Sequence, residues 1–142
     1  MLDISLIYSA DLEKQPPFIK VARETGERLQ YEEWEAIFFF ELMGYCPFVS
    51  RTEPEAVDVN LFEDLWKQRF QEAIPEYPLL ARMWNEYEDA IYEPSEIDNL
   101  RRECLSVQSK TKNAKALKGL NKLLCCCDEA TKGRLGLFMA CD

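Results

Sequence analysis

The sequence contains no histidine. That absence removes Ser-His-Asp and Cys-His catalysis together with the commonest metal ligand. A four-cysteine zinc site stays formally open, but the chain has no CxxC pair of the kind structural zinc sites bring. Glycine is scarce: five are scattered along the chain, and neither GxGxxG nor GxxxxGK[ST] occurs to cradle a phosphate. Long apolar runs are missing too. The strongest, "AIFFFELM", falls far short of the ~18 residues of a membrane span. The opening "MLDISLIYSADLE" carries an early acid and no Lys or Arg before Lys14, the wrong charge for a signal peptide, so a cytoplasmic location is expected.

What is present suits a folded chain. A hydrophobic content of 47% and 8 Phe, 6 Tyr and 3 Trp argue against disorder. The 142 residues are read as a single domain, 1–142, able to bury roughly two thirds of its unfolded surface. The net charge of −9 hides a division. Residues 1–99 hold 22 acids against 8 bases, whereas residues 100–142 hold 4 against 9. An acidic majority opposes binding to nucleic acid or anionic lipid, which need a basic footprint. The basic run "SKTKNAKALKGLNK" has no interleaved aromatics. It is expected to pair with the acidic part or to form a local anion patch, its lysines 115, 118 and 122 on a solvent face.

The expected fold class is α+β, mostly helical, with four or five helices packed around a small sheet formed by the N- and C-terminal strands. Leu2, Ile4 and Leu6 alternate as in a strand, and so do Leu135, Leu137 and Met139 near the other end. "QPPFIKVARETG" reads as a short helix, with prolines at its start and glycine at its stop. "LQYEEWEAIFFFELMGY" reads as a longer helix to Gly44, so widely apolar that it is either central or covered by a partner. Further helices are expected from Asn60, through Leu80, Met83, Trp84, Tyr87 and Ile91, through Ile97, Leu100, Cys104 and Val107, and from Ala116 to Ala130.

The last helix carries "CCC". The six cysteines are read as reduced thiols. At ~100° per residue Cys127 falls on the apolar face, Cys126 on its flank and Cys125 nearly opposite, so the three cannot share one ion. No metal or cofactor is expected. Cys125 lies on the polar face with Lys118 and Lys122, where a thiolate is favoured. A thiol-dependent enzyme or redox sensor using Cys125 is therefore an alternative function.

Acids could supply a catalytic pair, but their abundance fits solvated helix faces better. Acids interleaved with aromatics suit a surface for a basic protein partner, with carboxylates steering and rings supplying buried area. The candidate contacts are Glu32, Glu33, Glu35, Glu86, Glu88, Asp89, Tyr92 and Glu93, Tyr92 acting as the anchor. The competing reading turns the same rings toward the core. "YEPSEIDNLRREC", followed by "ALKGLNKLL" and "GLFMACD", resembles small acidic bacterial proteins, some of them immunity proteins of toxin systems. The resemblance covers about the last 50 residues, from Tyr92. It implies a cytoplasmic helix-rich domain that blocks a toxin by binding it, without catalysis or cofactor, and it transfers no set of binding residues. The expected function is thus a non-catalytic binding or inhibitory protein, possible toxin or nuclease partners being basic. A homodimeric structural subunit, joined through "AIFFFELM", is a further alternative.

Overall fold

The computed structural model describes residues 2–15, 17–38, 75–83 and 88–141. They form an antiparallel four-stranded sheet in the order β2-β1-β4-β3. Its strands are β1 (Leu2–Asp11), β2 (Phe18–Leu29), β3 (Ala90–Tyr92) and β4 (Gly136–Cys141). Three helices accompany it: α1 (Tyr31–Glu35), α2 (Ile97–Lys110) and α3 (Ala114–Gly133). Short 3₁₀ turns stand at Leu80–Met83 and Pro94–Glu96.

Strand register explains the core. Across the sheet Leu6 pairs with Leu137 and Leu137 with Tyr92, while Ile4 pairs with Met139 and Met139 with Ala90. Opposed residues point to the same side, so these two rows make one apolar face. All six side chains are buried in it. α3 lays Ala116, Leu120, Leu123, Cys127 and Ala130 on that face, and α2 adds Ile97, Leu100, Cys104 and Val107. The Asn113 side chain caps α3 by accepting from the amides of Lys115 (2.9 Å) and Ala116 (3.1 Å).

The expected mostly helical chain around a small two-ended sheet is corrected by this architecture. About 49% of the described residues are helical and 31% lie in strands, and the sheet has four members. The largest error concerns "QPPFIKVARETG", which is strand β2. Its prolines precede the strand rather than open a helix. At the edge of the sheet β2 has little apolar alternation of its own, and its conformation is set by pairing with β1. The stripe expected from Leu80 to Ile91 divides into a 3₁₀ turn and strand β3, with 84–87 outside the described residues. The long aromatic helix begins as α1 and widens into a π-type turn over 36–38. Its continuation through "FFELMGY" and the helix expected from Asn60 lie outside the described residues.

The segment 75–83 is fastened to the sheet and α2 by polar contacts. Glu103 of α2 accepts from the amides of Leu79 and Leu80, both at 3.0 Å. Tyr92 Oη donates to the Leu79 carbonyl at 2.6 Å, and Trp34 Nε1 to the Met83 carbonyl at 2.6 Å. These bonds satisfy buried backbone groups that would otherwise be costly.

Candidate interaction surface

Strands β1 and β2 form a hairpin whose pairing is interrupted near its base. Between the pairs Asp3–Arg28 and Ser5–Glu24, β2 places three residues opposite Ile4 alone. Gly26 takes the extra turn at φ +76°, a conformation that glycine adopts without a Cβ penalty. Thr25 Oγ1 donates to the Ile4 carbonyl at 2.6 Å, replacing a lost ladder bond. The bulge opens a concavity of about 470 Å³, lined among others by Asp3, Ser5, Glu24, Glu27 and Arg28. Arg28 is bound to Asp3. Glu24 and Glu27 make no ion pair among the described residues.

The expected contact residues do not share one tract. Glu32 is exposed and Glu35 half-buried on α1, which follows β2. Glu88 and Asp89 are exposed before β3, at the other edge of the sheet. Asp89 accepts from the Cys141 amide at 2.8 Å, tying it to β4. Glu93 is half-buried and accepts from the Ala10 amide at 3.3 Å. Glu86 lies outside the described residues.

Glu33 and Tyr92 need correction, because both face inward. Tyr92 is fully buried on the inner face of β3, and burial holds its hydroxyl well above the usual phenol range. It cannot anchor a partner at the surface. Glu33 is 3% exposed. Its Oε1 accepts from the Gln30 amide (2.9 Å), closing a capping box, and from Lys122 Nζ of α3 (2.7 Å). Lys122 also donates to the Arg28 carbonyl at 2.9 Å. Glu33 Oε2 is buried without a hydrogen-bond partner among the described residues. Lys122 is thus drawn inward, off the solvent face expected for it. Gly119, one turn earlier, permits this approach: a Cβ there would stand 3.1 Å from Glu33 Cβ and 3.0 Å from Ile37 Cδ1.

The three adjacent thiols divide unequally. Cys125 is exposed, whereas Cys126 and Cys127 are buried. Burial raises the Cys126 thiol to about 11 and the Cys127 thiol to about 12. Cys126 was expected on a flank. It is buried because β2, read from the sequence as a helix, passes over that side, with Thr25 hydrogen-bonded to its thiol. Cys104 is also buried, and its thiol lies well above the usual range. Cys46 lies outside the described residues. Among the described residues no group of three or more His, Cys, Asp or Glu side chains is arranged to hold a metal ion.

The sequence reading missed Asp3, Glu24 and Glu27. The available signal was "RETGER", where Thr-Gly interrupts a run of charged residues, since glycine inside a strand marks bulges. Of the bases that make no ion pair among the described residues, Lys112, Lys115, Lys118 and Lys132 stand on or beside α3, Arg102 on α2 and Lys20 on the outer part of β2. No described helix is long and apolar enough to cross a membrane. No protein-family model, no curated protein and no solved structure matches the chain.

Proposed function

We propose that this chain is a non-catalytic binding or inhibitory protein of the cytoplasm, whose acidic surface receives a protein partner with a basic surface. An immunity-type role, neutralising a basic toxin or nuclease, is its most concrete form. The observation that carries the reading is the concavity on the β1–β2 hairpin, with Glu24 and Glu27 at its wall. Among the described residues the bases that make no ion pair stand on or beside α3 and on α2, apart from Lys20 at the far end of the hairpin, so the carboxylates at the concavity keep a directed field to steer a cationic partner. Glu33, the deeply buried acid among the described residues, is committed to a helix cap and to Lys122. It supports the fold instead of chemistry.

The test is co-purification on the immobilised chain. A partner should be retained at low salt and released as ionic strength rises, because exposed charge pairs are screened. Glu24→Lys with Glu27→Lys should abolish retention. Recovery of no protein at low salt would remove the reading. The exposure of Cys125 favours one alternative, a thiol-dependent enzyme or redox sensor. In that case Cys125→Ser abolishes function, whereas the binding reading tolerates it.

A further inference from the structure

We draw no further inference here: the strongest candidate, the apolar outer end of the β1–β2 hairpin where Tyr8, Leu12, Phe18 and Val21 are exposed, carries none, because its charges balance, with Lys14 and Lys20 over the Phe18 and Tyr8 rings, and nothing in the structure shows what covers it.

Discussion

Two apolar regions of this molecule are built from similar side chains and meet opposite surroundings. On the inner side of α3, Leu120, Leu123, Cys127 and Ala130 have no exposed surface left. At the far end of the β1–β2 hairpin, Tyr8, Leu12, Phe18 and Val21 keep half or more of theirs. Burial of apolar area contributes about 25 cal/mol per Å², so the first region holds the fold and the second contributes little to it. The comparison therefore separates side chains that hold the fold from side chains that do not, and substitution can break it.

The largest contrast comes from truncating one side chain in each region. Leu120→Ala should cost about 3–5 kcal/mol, because the lost transfer energy is joined by a cavity that neighbouring side chains cannot fill. Val21→Ala should cost less than about 1 kcal/mol, as half of the removed surface is already in water. Urea titration gives both values, provided the slopes match. Equal losses would mean that the hairpin end is packed in solution, and the division would fall.

A somewhat smaller effect concerns charge. Lys122 is the partner that Glu33 has in the interior, with side chains 19% and 4% exposed. Lys122→Met leaves the carboxylate buried and uncompensated, a loss of about 3 kcal/mol. Adding Glu33→Gln should recover much of that, since the amide oxygen can still accept from Gln30. Removing the exposed pair Arg101–Asp128, by contrast, should change stability by about 0.5 kcal/mol or less. A double-mutant cycle on each pair measures the difference. Equal coupling energies would show that Glu33 is hydrated after all.

The elements legible from sequence are those whose environment is one-sided. Ile97, Leu100, Cys104 and Val107 recur at helical spacing because α2 has a single buried stripe. Leu2, Ile4 and Leu6 alternate because β1 is central and covered on one face. β2 escaped because an edge strand needs no such pattern: of its apolar residues only Leu29 is buried, and a Pro-Pro start with a Gly stop imitates helix punctuation. The concavity escaped with it, for its wall is the bulge around Gly26. Glu33 was hidden for another reason. Its acid neighbours Glu32 and Glu35 are accessible, and only the Gln30-to-Glu33 spacing betrays a capping box that turns the carboxylate inward. Glu103 on the amides of Leu79 and Leu80 joins residues more than twenty positions apart, which no local pattern encodes.

The finest division falls within three consecutive residues, and the thiols themselves can report it. Cys126 and Cys127 hold their protons more tightly in the folded chain than the ordinary thiol value of 9.0, at about 11 and about 12. Their contribution is whole below pH 9 and is lost as pH rises through 11 and 12, at up to about 1.4 kcal/mol per pH unit for each group. Cys126→Ala should therefore flatten the alkaline fall in stability measured by urea titration. Cys125→Ser should leave that fall unchanged and alter stability at neutral pH by about 0.5 kcal/mol or less, because Cys125 is exposed in both states. With Cys46 replaced by alanine, iodoacetamide at neutral pH should modify Cys125 first. Cys141 should follow, half-buried with its thiol hydrogen-bonded to Asp89, while the pair beside Cys125 reacts only on unfolding. Rapid loss of Cys126 in the native protein would mean that β2 does not cover α3. The hairpin would then have lost its inner contact as well as its outer exposure, and the contrast between the two regions would have no structural basis.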